Sequence, residues 1–317
     1  MSHGLKSRAV LQEQERISCR EPRLRLRALM VQAIRAFFIG EGYLEVETPV
    51  LMAAPAPELH ISAVPAGGGF LQTSPELFMK RLLAAGYGKI FQLCRCFREG
   101  ERGKLHVPEF TMLEWYRCHA GYQDIMSECE AMLRATARAI GLGEEICYQG
   151  KRIDLSCPWE RITVQEAFER YGSLEIDRAM EEDRFDACMV EEIEPRLGSP
   201  KPTFLYDYPS SMAALARVKE RDPRFAERFE LYLGGIELAN AFSELSDPDE
   251  QRSRFQQEMI KREKLGRDVY PLPEKFLAAL TLMPEAAGIA LGIDRLAMIL
   301  SDSPDIDDVI AFTPEER

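Results

Sequence analysis

The stretch "FQLCRCFREGERGKLHVPEFTMLEWYR", Phe91 to Arg117, sets charged residues inside two alternating runs that otherwise suit β-strands. With a side-chain period of two, Phe110, Met112, Glu114 and Tyr116 share one face of the second run. Gln92, Cys94, Cys96 and Arg98 share one face of the first. Charge in the middle of a strand needs a reason. The mixed face with Arg98, Phe110, Glu114 and Tyr116 suits a polar cleft with an aromatic wall. Further along, "ELANAFSEL" puts Asn240, Phe242 and Glu244 on one parity. Glu230 and Glu237 straddle Gly234-Gly235, so a hairpin can bring them together. Two converging carboxylates need a counter-charge. Mg²⁺ carrying phosphates is the usual one, because it binds one or two carboxylates plus substrate oxygens.

These residues need a frame. "PRLRLRALMVQAIRAFFIGEG" reads as a helix with Pro22 in its first turn and Gly40 and Gly42 at its stop. "YLEVETPVL" alternates like a strand and ends at Pro49. "APAPELH" is loop chemistry. "TSPELFMKRLLAAGYG" opens a second helix, with Ser74 as N-cap and Pro75 in the first helical position. "YQDIMSECEAMLRATARAIG" is a third helix. Residues 150–200 suit a short hairpin and two helices, without a chemical signature. "TFLYDYP" is a strand, "ERFELYLGGIELANAFSEL" two strands joined at the Gly-Gly pair, and "GIALGIDRLAMIL" a strand feeding a helix. "DPDEQRSRFQQEMIKREKLG" reads as a helix with a solvated charged face. Paired strands with helices between them, rather than strict alternation, predict an α+β fold. No G-x-G-x-x-G or G-x-x-x-x-G-K-[ST] occurs, so a nucleotide would be bound another way.

Composition sets bounds. The 317 residues are 46% hydrophobic and 29% charged, which is ordinary for a globular chain with a sizeable core. No apolar run reaches the length of a membrane span, and the N-terminus lacks a signal-peptide segment. No membrane partner and a cytoplasmic location are expected. Eight cysteines form no C-x-x-C pair, and four histidines are scattered. Packed free thiols fit better than zinc. The net charge of −12 argues against a large nucleic acid as the main partner.

"YLEVETPVL", "FQLCRCFREGERGKLHVPEFTMLEWY" and "GIALGIDRLAMIL" resemble, in order, motifs 1, 2 and 3 of class II aminoacyl-tRNA synthetases. "TSPELFMKRLL", "PEFTMLEWY" and "GIELANAFSELSDP" resemble the lysyl branch. Only about twenty residues precede the first expected helix. The expectation is an N-terminal extension over 1–20 and a catalytic domain over 21–317, without an anticodon-binding barrel. In this the chain resembles the elongation factor P (R)-β-lysine ligase family, as do "EFTMLEWYR", "KPTFLYDYP" and "GIELAN".

The resemblance implies a class II antiparallel sheet flanked by helices, paired as a homodimer through motif 1. It implies ATP and Mg²⁺, and transfer of (R)-β-lysine or lysine through an adenylate to a lysine of elongation factor P. Arg98 and Arg295 would be catalytic, Arg98 on the α-phosphate and the amino-acid carboxylate and Arg295 near the γ-phosphate. Glu99, Gly100, His106, Phe110, Glu237, Leu238 and Gly292 complete the implied ATP site. Phe110 would stack on adenine, and Gly292 would allow close backbone approach. Glu230 and Glu237 match the Mg²⁺ carboxylates. Ser74, Pro75, Glu76, Glu114, Tyr116, Asn240, Glu244 and Ala290 form the implied amino-acid site. Glu76 lies near the reacting end, Glu244 and Tyr116 at the distal ammonium. Ala290 bears on the choice of β- over α-lysine. The chain departs from the family at Val107 in "HVPEF" for an asparagine, at "FREGERG" for "FRNE", and at Ala241 for a glycine. Two other functions fit the same residues: a ligase acting on tRNA or a small amine, and a non-catalytic nucleotide-binding paralogue.

Overall fold

The computed structural model describes residues 2–316. Its centre is an eight-stranded sheet. In chain order the strands are β1 (Leu44–Glu45), β2 (Lys89–Phe97), β3 (Glu109–Cys118), β4 (Glu160–Thr163), β5 (Thr203–Pro209), β6 (Phe225–Leu233), β7 (Ile236–Ser243) and β8 (Ala286–Gly292). They lie in the order β1-β2-β3-β8-β7-β6-β5-β4. Every pair from β2 to β5 is antiparallel, while β1 against β2 and β4 against β5 are parallel. The antiparallel reading therefore holds for the interior of the sheet and gives way at its two edges. The β6–β7 turn is Gly234-Gly235, both left-handed at φ 60° and 87°, the conformation that tight hairpins require.

Helix α1 (Ser2–Gly40) is one continuous element with Pro22 inside it. The expected start at Pro22 is wrong: the proline removes one helical hydrogen bond but does not end the helix. Helices α1 and α3 (Tyr122–Ala139) cover the back of the sheet, with α6 (Ile293–Leu300). There Met30, Ile34 and Phe38 meet Phe91, Leu113 and Trp115, all at 0% exposure. The Phe38 ring stacks on Phe91 and tilts against Trp115, each at 5.0 Å. Truncating one such aromatic costs about 3–5 kcal/mol. This firm back plane lets the front face carry charge.

Helices α2 (Glu76–Ala84), α4 (Pro248–Lys264) and α5 (Glu274–Leu280) stand with a second core on the front. At the start of α2 the Glu76 amide donates to Ser74 Oγ at 3.0 Å, but the N-cap position is Pro75, expected as the first helical residue, and Ser74 lies one residue further out. The 150–200 region supplies β4 and several short helices that bury Phe168, Phe185 and Ile193 against Tyr232. Helix α4 is not only a solvated face, because its Arg262 is completely buried.

Candidate active site

Register fixes the front face. Glu114 lies opposite Gln92 and Ala290, Ala290 opposite Asn240, and Asn240 opposite Glu230. Phe110 faces Cys96, and Met112 faces Cys94. The period-two assignment thus holds across five strands. Cys94 and Cys96 are free thiols, with their sulfurs 3.8 Å apart.

The more open end of this face, where His106 is exposed, is a cavity of about 240 Å³. Arg98, His106, Phe110, Glu237, Leu238, Asn240, Ala290, Gly292 and Arg295 all line it. The Arg98 guanidinium sits 5.1 Å from the Phe110 ring centre and only 3.9 Å from Glu101, and its Nε has no hydrogen-bond partner. Its donors are therefore free for an anion. Arg295 donates to the Glu237 carbonyl at 2.8 Å, to Glu237 Oε2 at 3.2 Å and to the Leu105 carbonyl at 3.2 Å. It also contacts His106 Nε2 at 2.6 Å. Burial, and then Arg295, hold His106 below its usual pKa, so a neutral imidazole accepts from the guanidinium.

Glu99 and Gly100 do not join this cavity. Glu99 is exposed and its amide donates to the Ser62 carbonyl at 2.8 Å. Gly100 turns the chain at φ 75°, which sends Glu101 into the wall instead. Gly292 has room for a Cβ, which would meet nothing nearer than Arg295 at 3.8 Å, so no protein atom requires glycine there. The 99–107 loop is tied down at its tip. Arg102 reaches Glu315 at 2.8 Å and Asp307 at 2.7 Å, and the Ile306 amide donates to the Lys104 carbonyl. Val107 is 1% exposed and belongs to the back core, an apolar anchor that makes no polar contact, as its side chain dictates. Asp294, which the sequence reading overlooked, accepts from the Thr111 amide at 2.6 Å and pairs with Arg27 at 2.5 Å. It locks α6 and β3 to α1.

The other, more closed end, where Glu114, Tyr116 and Phe242 are buried, is a pocket of about 70 Å³ lined also by Ser74, Glu76 and Ala290 among others. Glu114 accepts from Ser74 Oγ and from the Tyr116 hydroxyl, each at 2.7 Å. Tyr116 can lie flat on β8 because position 288 is glycine: a Cβ there would stand 2.2 Å from its ring and 2.8 Å from Glu244 Oε1. Behind the pocket Lys80 is buried between two carboxylates, 2.5 Å from Glu76 and in contact with Glu244. Lys80 was absent from the sequence reading, although Glu76 and Lys80 are four apart on one helix, a spacing that brings side chains together. Pro75 lines neither cavity.

With Glu58 and Arg98, which also line this end, four carboxylates thus face two cations. Burial, and then Glu76, push Glu114 up to about 8. Burial pushes Glu244 up to about 8 against the pull of Lys80. Burial pulls Lys80 down, but Glu244 and Glu76 outweigh it and hold it charged. The pocket therefore has room for added positive charge.

Glu230 and Glu237 do converge, on adjacent strands, but unequally. Glu230 is occupied by Arg228, Tyr208 and Tyr232, at 2.6, 2.6 and 2.7 Å. Glu237 is raised by burial and by Glu230, and it faces the open cavity. The donor set thus suits a cation at Glu237, with Glu230 behind it. Among the described residues no three His, Cys, Asp or Glu side chains form a metal cluster by themselves, so a cation would need substrate oxygens as well. No helix among those residues is long and apolar enough to cross a membrane.

The model for class II tRNA synthetases (D, K and N) matches residues 6–316. The elongation factor P--(R)-beta-lysine ligase of Pectobacterium carotovorum subsp. carotovorum (strain PC1) is 42% identical over 308 residues, covering 91% of this chain and 94% of the relative. The ligase of the same name from Sodalis glossinidius (strain morsitans) is 41% identical over 325 residues, covering 91% and 94%. That from Salmonella gallinarum (strain 287/91 / NCTC 13346) is 40% identical over 328 residues, covering 92% and 95%.

Proposed function

The chain belongs to the class II tRNA synthetase (D, K and N) family, and on that premise we propose that it is an ATP-dependent ligase that loads (R)-β-lysine onto elongation factor P. The observation that carries this reading is the joined pair of cavities on one sheet face. An open end presents free guanidinium donors beside an aromatic ring, and a closed end presents carboxylates in excess of cations. The first end suits a nucleotide, the second a small molecule with ammonium groups.

In the first step the amino-acid carboxylate attacks the α-phosphate of ATP, forming an adenylate and releasing pyrophosphate. Arg98 lines both cavities, so it holds the attacking carboxylate and the α-phosphate together. That positioning and its charge supply the catalysis, and no protein nucleophile is needed. Phe110 stacks on adenine, exchanging its contact with Arg98 for the base. Arg295 shifts from His106 to the outer phosphates. Glu237, backed by Glu230, would hold a Mg²⁺ accompanying the triphosphate, and that ion would supply charge neutralisation at the phosphates. At the closed end Glu244, Glu114 and Tyr116 hold the distal ammonium.

In the second step a lysine ε-amine of elongation factor P attacks the acyl carbon, and AMP leaves. That amine must be neutral, so the rate rises with pH below its pKa. The protein acts in the cytoplasm, its catalytic domain covering 21–317. Two copies pair through the apolar surface that carries Leu29, Ile39, Leu44, Val50 and Leu51, each at least 42% exposed. The test is transfer: with ATP and labelled (R)-β-lysine, label should appear on elongation factor P and not on lysine tRNA. Label on tRNA alone would refute the acceptor.

A further inference from the structure

Glu58 belongs to no motif that the sequence reading used. It lies in the "APAPELH" loop, yet it lines both cavities. Among the described residues, only Arg98, Met112, Asn240 and Ala290 share that position with it. Among the described residues its carboxylate accepts no hydrogen bond and has no cationic partner within 4.0 Å. Every other acidic side chain around the closed pocket is engaged: Glu76 and Glu244 by Lys80, Glu114 by Ser74 and Tyr116.

The loop itself is held rigidly. The buried Arg262 donates to the Glu58 carbonyl at 2.5 Å, to the Ile61 carbonyl at 2.7 Å and to the Tyr270 hydroxyl at 2.9 Å. That hydroxyl in turn accepts from the Ala63 amide at 2.9 Å. A carboxylate without a partner, carried on a fixed loop, is preorganised for a cation that the chain itself does not supply. Burial pushes it up to about 7 while Arg98 pulls it down, so a cation at this point would draw it into its charged form.

An amino acid with its amine near the carboxyl presents opposite charges a few atoms apart. Arg98 and Glu58, across the junction of the two cavities, present the complementary pair. We propose that Glu58 is a substrate-binding residue that receives the ammonium group nearest the reacting carboxyl, and so helps to set how far along the carbon chain that amine must stand. This rests on the proposed function above, since it presupposes that Arg98 holds the substrate carboxylate.

The test is ATP–pyrophosphate exchange with wild type, Glu58→Gln and Glu58→Asp. Exchange by the wild type with (R)-β-lysine establishes the underlying reading, and its absence would refute that reading rather than the role of Glu58. Given that exchange, Glu58→Gln should raise the KM for (R)-β-lysine about ten- to hundredfold, the loss of one charge-assisted contact. The KM for ATP should stay within about twofold, as should the inhibition constant of 6-aminohexanoate, which lacks the nearer amine. Glu58→Asp should keep the charge and recover part of the loss. Equal losses for (R)-β-lysine, ATP and 6-aminohexanoate would make Glu58 merely structural and overturn the assignment. Unchanged exchange would overturn it too, and slowed transfer to the acceptor in that case would make Glu58 a base instead.

Discussion

The two ends of the cleft meet on one sheet face but are built differently. At the nucleotide end the arginines have longer, exchangeable contacts: Arg98 lies over a ring and 3.9 Å from Glu101, and Arg295 is held by a neutral imidazole, two carbonyls and the Glu237 carboxylate at 3.2 Å. At the amino-acid end Glu76, Glu114 and Glu244 are already engaged inside the protein, through Lys80, Ser74 and Tyr116. A triphosphate brings its own dense charge and needs only cations free to meet it. A small diamino acid must be told from near relatives, and that requires fixed partners whose loss is costly. Looseness at one end and preorganisation at the other follow from what each end must recognise.

The sharpest way to break the contrast is Lys80→Met. It leaves Glu76 and Glu244 buried without their cation, and it should destabilise the protein by roughly 3–5 kcal/mol at pH 8. The loss should be smaller at pH 5, where the carboxylates can protonate. Urea titration at both pH values measures it, and a loss that does not depend on pH would mean that Lys80 contributes packing only. Next is Arg98→Ala, which should lower ATP–pyrophosphate exchange at least about a hundredfold with any amino acid while leaving the melting temperature nearly unchanged. A large fall in melting temperature would place Arg98 in the fold rather than in the reaction.

The pH dependence should follow the closed end. Glu114 and Glu244 are held up to about 8, against 4.5 as the ordinary value. Between those values the folded state binds more protons than the unfolded chain, so their contribution to stability falls as pH rises from about 5 to 8. A bound diamino acid should reverse this by expelling protons, so its affinity should climb over the same interval. Calorimetry in buffers of different ionisation heat would count the protons released, and proton uptake would contradict the scheme. The smallest expected effect is that of Arg102→Ala at the loop tip. Its partners Glu315 and Asp307 leave it partly exposed, so stability should fall by less than about 1 kcal/mol, and the KM for ATP should rise only a few-fold.

The parts that could be read from sequence are those that local periodicity determines. Alternation alone put Phe110, Glu114 and Tyr116 on one strand face and Asn240 and Glu244 on one parity, and the sheet register brings the two sets to a common front. Lys80, Glu58 and Arg262 escaped for different reasons. The pairing of Glu76 and Lys80 was visible in their helical spacing, but the burial that makes it matter depends on Glu244, 164 positions further on in the chain. Glu58 sits in a proline-flanked loop with no period, and its place is set by Arg262, which a charged helix pattern disguised as surface. Glu99 and Gly100 lie outside the cavity because one left-handed glycine turns the loop and carries Glu101 into its wall. Pro22 misled because a proline that can open a helix can also be tolerated inside one.

The central claim is that the closed end selects a second ammonium group while the open end activates the carboxylate. Its most direct test is ATP–pyrophosphate exchange with (R)-β-lysine, α-lysine and 2-aminohexanoate, the last lacking the distal amine. Exchange with the diamino acids and essentially none with 2-aminohexanoate is the expected result. Comparable exchange with all three, or none with either diamino acid, would contradict it.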